Sequence, residues 1–503
     1  MVLDPDHRDA PLDLSPEEFR ELGYRVVDRI ANHIGSLRDL PVGPNEPVTT
    51  VRDLLGAVPL PSESSPPGAV LDEAMSMVLA HSVFTSHPRF WAFITGSASP
   101  LGALGDLVAA SININVASWN TAGGASAFEA QAVRWIADLI NLGPTYSGLL
   151  VSGGTAANLV AFITALHAKA TWDVRQEGAR PVGRPVMKVY ASREAHPWLG
   201  RAVDITGLGL QALHWVEADE HARMIPRALR AAIAEDREAG NLPFLIVGSG
   251  GTVSLGMVDP LGALAEVARE EKLWLHVDAA YGGFAACSPE APDELRELVH
   301  ADSIAVDPHK WLYVPLECGC VLLKEPALLN RTFTYDSAFF RYTGSGPQDI
   351  PAPYREQGLQ NSRAFRAFKL WLCLKTAGRR GYEQMISDDI RLARRLYTAI
   401  AETSHLEAMS CALSTTVFRY LPPELAGRAE ASAYLETLNL ELLRQLQLDG
   451  YAYPSATKMK GSTGIRVCIV NFRTQWSDLE GLIEWCTRRG HALDQATRPD
   501  TLR

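Results

Sequence analysis

Short apolar runs alternate with longer amphipathic segments over residues 125–325. The short runs, each typical of a buried strand, lie at 186–190, 244–247, 273–277 and 303–306. The segments whose apolar residues recur at helical spacing lie at 125–142, 156–170 and 261–270. This alternation predicts an α/β fold with a mostly parallel sheet covered by helices.

The N-terminal part of the chain follows a different pattern. Ser15-Pro16-Glu17-Glu18 has the form of a helix start with Ser15 as the N-cap, and apolar residues recur at helical spacing to about Ile34. Residues 41–70 contain seven prolines, a composition that disfavours regular structure and predicts an extended arm. We therefore assign residues 1–95 to a helical arm that clasps a partner.

The C-terminal part of the chain mixes helical and strand patterns. Beyond residue 375, a long helical stretch is followed by shorter segments at 415–420, 432–448 and 465–472. This order predicts a smaller α+β domain over residues 376–503, after a large α/β domain over residues 96–375.

Composition and charge narrow the class of protein. A chain of 503 residues is too long for one ordinary core, and 47% hydrophobic with 21% charged residues matches globular averages. A disordered chain and a small binding module are thereby excluded. The net charge of −11 repels phosphate backbones and anionic lipid, and no apolar run is long enough to span a bilayer. Neither nucleic acid nor a membrane is an expected partner.

The cysteines and the N-terminal residues bear on the compartment. Seven cysteines without a CxxC pair indicate neither a disulfide framework nor a zinc ribbon, so no metal is predicted. The first thirty residues carry Asp4, Asp13 and Glu17 instead of a basic and then apolar export signal. We expect a cytoplasmic protein.

A histidine and lysine pair follows the last strand of the central pattern. The run 303–306 leads through Asp307 and Pro308 into His309-Lys310-Trp311. In open α/β sheets ligands lie beyond the carboxyl ends of strands, so Lys310 would face the ligand crevice. Taken alone, this window is better explained by a solvated loop lysine.

A carboxylate follows the strand before it. Residues 273–277 end in Asp278-Ala279-Ala280, where two small residues leave room for a flat group against the backbone. The Asp278 carboxylate could keep a pyridinium nitrogen protonated, because opposite charges favour each other's charged form. An ordinary helix-capping role for Asp278 has equal weight on this window alone.

Two further windows supply an anion site and a ring. The strand 149–151 turns through Gly153, Gly154 and Thr155 into a helix, and backbone N–H groups at such a start bind phosphate. The window lacks the Lys-Ser/Thr of a P-loop, and 248–252 lacks the third glycine of a dinucleotide fingerprint, which disfavours ATP and NAD. His196 follows the strand 186–190. Together the four strand ends match the needs of pyridoxal 5′-phosphate.

These motifs resemble the group II pyridoxal-phosphate-dependent decarboxylases, which include aromatic-L-amino-acid, histidine and glutamate decarboxylases. The matching segments, spread from about residue 86 to 473, are 86–91, 276–281, 307–311, 361–366 and 466–473. The resemblance implies the pyridoxal-phosphate transferase fold of the aspartate aminotransferase type (fold type I). It also implies an amino-acid substrate and a homodimer with active sites at the subunit interface.

The resemblance implies a role for each matching residue. Lys310 would form the imine with the cofactor, Asp278 would pair with the pyridine nitrogen, and His196 would stack on the ring. The remaining cofactor-binding positions would be Gly153, Gly154, Thr155, Thr252, Ala280 and His309. There are two alternatives. One is a scaffold protein that has lost the reaction, and the other is an enzyme with another pyridoxal-phosphate reaction type, such as an aminotransferase.

The resemblance also indicates the substrate. Trp91, Phe93, Ile94 and Ala117 would lie near the substrate side chain, and all four are apolar, whereas a diacid would need a cationic partner. This favours an aromatic amino acid, decarboxylated to its amine. The alternative is that these four residues are ordinary core.

One position departs from the family. Counting from Lys310 without a gap puts Phe339 where the decarboxylases carry a catalytic-loop tyrosine that donates a proton. In plant aromatic aldehyde synthases, phenylalanine at this position accompanies oxidation to aldehyde, ammonia and hydrogen peroxide. The alternatives are that Phe339 is a packing residue and that Tyr342, Tyr354 or a water molecule donates the proton. We favour simple decarboxylation.

Overall fold

The computed structural model describes residues 10–44, 46–335 and 351–502. Phe339 and Tyr342 lie outside the described residues. The helices of the described part are α1 (Pro16–Ser36), α2 (Val48–Leu55), α3 (Pro67–Ala80), α4 (Pro100–Ile112), α5 (Trp119–Leu139), α6 (Gly154–Lys169), α7 (Val174–Glu177), α8 (Trp198–Ile205), α9 (Pro226–Glu238), α10 (Leu261–Glu271), α11 (Pro308–Trp311), α12 (Ala327–Phe333), α13 (Arg366–Ala401), α14 (Ser432–Leu448) and α15 (Trp476–Thr497).

A seven-stranded sheet forms the centre of the molecule. Its strands are β1 (Ser147–Val151), β2 (Met187–Ser192), β3 (Leu213–Val216), β4 (Leu242–Ser249), β5 (Trp274–Asp278), β6 (Ser303–Val306) and β7 (Gly319–Leu323). They run in the order β1-β7-β6-β5-β4-β2-β3, and β7 runs in the direction opposite to the other six strands. The predicted α/β fold with a mostly parallel sheet is confirmed.

A second sheet of four antiparallel strands lies in the C-terminal part. Its strands are β8 (Leu406–Ala412), β9 (Thr415–Tyr420), β10 (Ser455–Met459) and β11 (Ser462–Cys468), in the order β10-β11-β9-β8. Helices α14 and α15 pack on it, and their apolar residues form a core separate from that of the first sheet. The α+β pattern predicted for this part is therefore found.

Helix α13 connects the two cores. Leu370 and Ile386 pack in the core of the seven-stranded sheet, whereas Leu396 and Ile400 pack in that of the four-stranded sheet. The predicted domain boundary at residue 375 falls inside this helix, close to Gly378, whose φ of 62° interrupts the helical backbone. The boundary itself stays a prediction.

The N-terminal arm is more regular than predicted. Ser15 caps α1 as expected, since its hydroxyl accepts from the Glu18 backbone while the Glu18 side chain reaches back. The extended structure expected for residues 41–70 is wrong for Val48–Leu55 and for the first residues of α3. The physical reason is that the prolines stand at helix starts, where a missing N–H costs nothing.

Within residues 10–44, 46–335 and 351–502, none of the helices has both the length and the apolar character needed to cross a membrane.

Candidate functional site

Lys310 lies just beyond the carboxyl end of β6. Asp307 follows the strand and Pro308 begins α11, so the chain turns sharply and the Lys310 backbone N–H donates to the Asp307 carbonyl at 2.9 Å. Gly96 packs against this turn so closely that a Cβ there would stand 2.1 Å from the Lys310 carbonyl oxygen. The lysine turn is therefore held between the sheet and the segment before α4.

The amine of Lys310 faces a buried carboxylate. Its Nζ lies 3.1 Å from Oδ2 of Asp307, a residue that is only 1% exposed. The other carboxylate oxygen, Oδ1, is buried without a hydrogen-bond partner among the described residues. His309 adds its Nε2 at 3.7 Å from Oδ2, and burial lowers the pKa of His309.

Asp278 ends β5, the strand next to β6. Its Oδ2 accepts from the indole Nε1 of Trp198 at 2.7 Å, and its Oδ1 accepts from the Ala280 backbone at 3.2 Å. These donors hold the carboxylate in one orientation. Since each carboxylate oxygen can accept a second hydrogen bond, Asp278 keeps capacity for a ligand.

The glycine turn after β1 brings the start of α6 to the same place. Gly153 is the N-cap and offers no side chain, so the first N–H groups of α6 have no side-chain cap. A Cβ at Gly154 would stand 2.7 Å from Oδ2 of Asp307 and 3.2 Å from Cβ of Ala280. Only glycine fits where the helix start comes this near to the strand ends.

Lys310, Asp278 and the start of α6 line one cavity of about 240 Å³, which we call the lysine cavity. Its walls are Gly154, Thr155, Asn158, Glu194, His196, Ser249, Gly251, Thr252, Val253, Asp278, Ala280, Tyr281, Asp307, His309 and Lys310. The structure thus brings the predicted cofactor-binding residues together, with Gly153 directly behind the wall against His309. The Thr252 hydroxyl accepts a hydrogen bond from the Met257 backbone N–H at 3.0 Å.

His196 stands where this cavity meets a second one. Its Nδ1 accepts from the Trp198 backbone at 3.1 Å, which fixes the ring, and burial lowers its pKa, so the imidazole is neutral at pH 7. The second cavity, of about 360 Å³, is called the arginine cavity. Its walls are Phe93, Arg193, Glu194, Ala195, His196, Pro197, Val253, Ser254, Ser455, Ala456, Thr457 and Arg466.

Arg466 is one of two cations, with Arg193, in the wall of the arginine cavity. The residue is 3% exposed, and its Nη1 donates to the Phe93 carbonyl at 2.7 Å while its Nε donates to the Ser254 carbonyl at 3.0 Å. Its Nη2 is buried and has no hydrogen-bond partner among the described residues. The guanidinium is thereby held in one plane, and its third nitrogen is enclosed by the protein.

The four residues expected near the substrate side chain are separated. Phe93 lines the arginine cavity and is 64% exposed. Trp91 is fully buried in the core of the four-stranded sheet, where its Nε1 donates to Thr474 at 3.3 Å, and Ile94 packs in the core of the seven-stranded sheet. Among the described residues, Phe93 is the only one of the four that lines either cavity, and Ala117 lines neither.

Sequence reasoning missed Trp198, Glu194, Ser254 and Arg466 as site residues. Trp198 and Glu194 each lie two residues from His196 in the chain. This short separation could have indicated that both residues are near the site. Arg466 stands in the four-stranded sheet, and nothing in its local pattern indicates that β11 comes to the strand ends of the other sheet.

Comparison with known proteins identifies the family. A family model described as the pyridoxal-dependent decarboxylase conserved domain matches residues 59–420. An aromatic-L-amino-acid decarboxylase of Bacillus atrophaeus is 32% identical over 93% of this chain and 94% of its own length. A phenylacetaldehyde synthase of Petunia hybrida is 30% identical over 95% of both chains.

Solved structures agree with the fold. Oryza sativa TDC with PLP and tryptamine has a TM-score of 0.87 at 24% identity, covering 97% of this chain and 100% of the other. Mouse CSAD has a TM-score of 0.88 at 26% identity, covering 95% of this chain and 99% of the other. The chain belongs to the pyridoxal-dependent decarboxylase family, has its fold, and is a carboxy-lyase that uses pyridoxal phosphate.

Proposed function

We propose that this enzyme removes the carboxylate of an aromatic L-amino acid as carbon dioxide and releases the amine. The observation that carries the proposal is the shared cavity of Lys310 and Asp278, with the Arg466 guanidinium in the wall of the cavity beside it. An amine, a carboxylate and a guanidinium thereby line two adjoining cavities. The Bacillus atrophaeus relative supports the aromatic substrate class.

The residues of the lysine cavity fit pyridoxal phosphate. The uncapped start of α6 offers N–H groups and the positive end of the helix dipole, which suit the phosphate. The Asp307 carboxylate nearby is paired with the Lys310 amine at 3.1 Å. Asp278 suits the pyridine nitrogen, the small Ala280 leaves room for a flat ring, and the neutral imidazole of His196 suits its other face.

The cofactor supplies an electron-accepting ring that stabilises the negative charge left when carbon dioxide departs. Lys310 would hold the cofactor's aldehyde carbon through its amine, at the place that the substrate amine would take. Asp278, oriented by Trp198, would favour the protonated form of the ring nitrogen through its negative charge. Arg466, one of the two cations in the adjoining cavity, would attract the substrate carboxylate.

The chain's own residues also fit an aromatic side chain. Phe93 presents an exposed ring in the wall of the arginine cavity, next to Pro197, Val253 and Ala456. Two cations, Arg193 and Arg466, lie in the wall of the same cavity, so the aromatic assignment rests on Phe93 and on the Bacillus atrophaeus relative.

An aldehyde synthase is the second candidate. Phe339, outside the described residues, cannot donate a proton, and the Petunia hybrida relative is a phenylacetaldehyde synthase. Tyr342 is outside the described residues as well, whereas Tyr354 is buried, and its ring lies under the guanidinium of Arg363 at 4.7 Å. Burial raises the pKa of Tyr354, which makes its hydroxyl a reluctant proton donor.

The experiment that separates the candidates measures three products at once. The holoenzyme is incubated in air with tyrosine, tryptophan, phenylalanine and dihydroxyphenylalanine, and carbon dioxide, amine and hydrogen peroxide are quantified. Amine equal to carbon dioxide, without peroxide, is the expected result. Peroxide and aldehyde equal to carbon dioxide would establish the synthase, and no carbon dioxide from any of the four would overturn the aromatic assignment.

We propose that the active molecule is a homodimer clasped by its N-terminal helices. Helix α1 has no buried residue in the single chain, and the apolar side chains of Phe19, Tyr24 and Val27 are exposed on it. Exposed leucines on α4, Leu104 and Leu107, add a second unpartnered apolar surface. Light scattering of the holoenzyme should give twice the chain mass, and Leu107→Asp should shift the mass toward that of one chain.

We also propose that the enzyme works in the reducing environment of the cytoplasm. All seven cysteines are free thiols, and six of them are buried. Among these, burial raises the pKa of Cys287, Cys318 and Cys486, so these thiols resist oxidation. Fractionation of expressing cells should recover the activity with cytoplasmic markers, and recovery with exported proteins would contradict the assignment.

A further inference from the structure

We propose that Trp198 is a positioning residue for the cofactor ring, because it fixes two partners of that ring at once: the His196 imidazole for its face and the Asp278 carboxylate for its nitrogen edge. The proposal rests on the decarboxylase function above and adds Trp198 to it. Trp198 is a described residue that lines neither cavity, so it acts through the two side chains that it holds.

The two contacts come from different parts of Trp198. Its backbone N–H donates to Nδ1 of His196 at 3.1 Å, and its indole Nε1 donates to Oδ2 of Asp278 at 2.7 Å. The backbone contact is available to any residue except proline, whereas the second contact needs the indole. A change of side chain can therefore remove the contact to the edge partner and keep the contact to the face partner.

The backbone contact determines the state of the His196 ring. Because Nδ1 accepts a hydrogen bond, the proton of the neutral imidazole lies on Nε2. Pro197, the N-cap of α8, has no N–H, so Trp198 supplies the first backbone donor at this helix start. The imidazole is thus held in one tautomer and one plane beside the lysine cavity.

The indole is itself locked in place. Trp198 is 2% exposed, and its ring meets His276 edge to face at 5.8 Å and Phe162 at 6.4 Å between centroids. His276 is fixed in turn by Asn158 at 2.6 Å and by Ser303 at 2.9 Å. Since Asn158 and Phe162 belong to α6 and His276 to β5, the indole cannot turn without moving two elements of the site.

A locked indole N–H suits the task of holding Asp278. Indole nitrogen only donates and keeps its proton, so it does not compete for the proton of the ring nitrogen. A carboxylate whose plane is already fixed loses little rotational freedom when a ligand binds, and its hydrogen bond to that ligand has a set direction. The expected consequence is a preference for a flat ring that carries a nitrogen at the edge facing Asp278.

The test measures cofactor affinity and not turnover. The apoprotein is titrated, followed by absorbance, with pyridoxal 5′-phosphate and with its carbocyclic analogue, in which C–H replaces the ring nitrogen and every other group is kept. The variants are Trp198→Phe, Asp278→Asn and His196→Ala. Trp172→Phe is the matched control, because Trp172 is also buried, its indole donates to the Gly178 carbonyl at 3.0 Å, and it lines neither cavity.

Trp198→Phe keeps the backbone donor and an aromatic ring but removes the indole N–H. It should raise the dissociation constant of pyridoxal phosphate about 10-fold, the usual effect of losing one hydrogen bond to a charged group, and leave that of the analogue unchanged. Asp278→Asn should show the same selectivity with a larger factor. His196→Ala should weaken both ligands, since both have the same flat face, and Trp172→Phe should weaken neither.

Two results would overturn the positioning role. One is equal weakening of both ligands by Trp198→Phe, which is the signature of a packing defect. The other is unchanged binding of both by Trp198→Phe while Asp278→Asn still discriminates between them. Trp198→Leu, a second variant without the N–H, provides the same comparison if Trp198→Phe does not fold.

Failure of the underlying assignments has a different signature. If the unsubstituted apoprotein binds neither ligand, the proposed function itself fails. If it binds both and Asp278→Asn weakens them alike, Asp278 does not hold the ring nitrogen, and the role of Trp198 is overturned while the decarboxylase function stands.

Discussion

The lysine cavity and the arginine cavity adjoin at His196, yet they are built in different ways. The lysine cavity is formed by the carboxyl ends of β1, β2, β4, β5 and β6, all in one sheet. The arginine cavity joins the turns after β2 and β4 to β10 and β11 of the other sheet and to Phe93. The proposed function thus assigns chemistry to residues of one rigid sheet and recognition to residues that come from both sheets.

The two constructions predict different effects of substitutions on the enzyme's kinetics. Residues at the strand ends of one sheet keep their mutual distances, because the ladder of backbone hydrogen bonds fixes them. The spacing across the arginine cavity depends on how the four-stranded sheet packs on the larger one. Substitutions in the lysine cavity should therefore affect turnover, and substitutions in the arginine cavity should affect substrate affinity.

The largest effect is expected from Lys310→Ala. Without the Lys310 amine the cofactor has no covalent attachment to the protein, and the group that would exchange with the substrate amine is missing. We therefore expect kcat to fall by roughly 10³-fold or more. The product assay described above measures the loss. Lys324→Ala, at an exposed lysine after β7, is the matched control and should keep full activity. Retention of more than a tenth of the activity by Lys310→Ala would move the chemistry out of this cavity.

Asp278→Asn should have the next largest effect. Asparagine can still accept from Trp198, but it has no charge to favour a protonated ring nitrogen, so kcat should fall by about 10²- to 10³-fold. KM should change little, because Asp278 is assigned to the cofactor and not to the substrate. Steady-state kinetics on the cofactor-saturated variant would separate the two parameters. A change confined to KM would reverse the assignment of chemistry and recognition.

The same contrast explains how much the sequence revealed. Lys310, Asp278, His196 and Gly154 each follow a predicted strand, and parallel strands end at one edge, so their convergence followed from local pattern. The pairing of Arg466 with Ser254 joins β11 to the turn after β4, more than two hundred positions away in the chain. No periodicity or turn signal records such packing, which is why the arginine cavity was missed.

Boundaries show the same limit on a smaller scale. The predicted segments 303–306, 415–420 and 432–448 coincide with β6, β9 and α14. The apolar run 465–472 was expected to be one element, whereas β11 ends at Cys468. Ile469 and Val470 are buried after the strand has ended, because the chain there packs between the cores, and a run of apolar residues does not distinguish these cases.

Ser254→Ala should have a smaller effect. It tests whether the hydrogen bond from Ser254 to Glu194 in the wall of the arginine cavity affects substrate affinity. The substitution removes the hydroxyl that orients Glu194 and keeps the carbonyl that accepts from Arg466. KM should rise about 3- to 10-fold with kcat unchanged, since one neutral donor to a charged group is lost. Ser455→Ala, in the opposite wall, is the comparison variant. An equal change in both variants would show a general effect on the cavity.

Asp389 is buried and contacts Trp311, the residue after Lys310. Substituting Asp389 should affect activity least. Its Oδ2 accepts from Trp311, the residue after Lys310, at 2.9 Å and from Tyr313 at 2.8 Å. The Trp311 ring in turn stacks on Tyr281 at 5.0 Å between centroids. Burial raises the pKa of Asp389 to about 8, so the carboxyl is mostly protonated at neutral pH in the folded protein.

The sign of the resulting pH dependence follows from linkage. The folded state binds the Asp389 proton up to about pH 8, whereas the unfolded chain releases it near its ordinary pKa of about 3.9. Between these limits the folded state binds more protons, so this residue lowers stability as the pH rises. Asp389→Asn cannot titrate and should lose this trend. Its melting temperature minus that of the unsubstituted protein should become more positive from pH 5 to 8, by a few degrees, on the order of 1 kcal/mol or more. Thermal unfolding at four pH values measures the trend, and a difference that stays constant with pH would mean that Asp389 is ionised throughout.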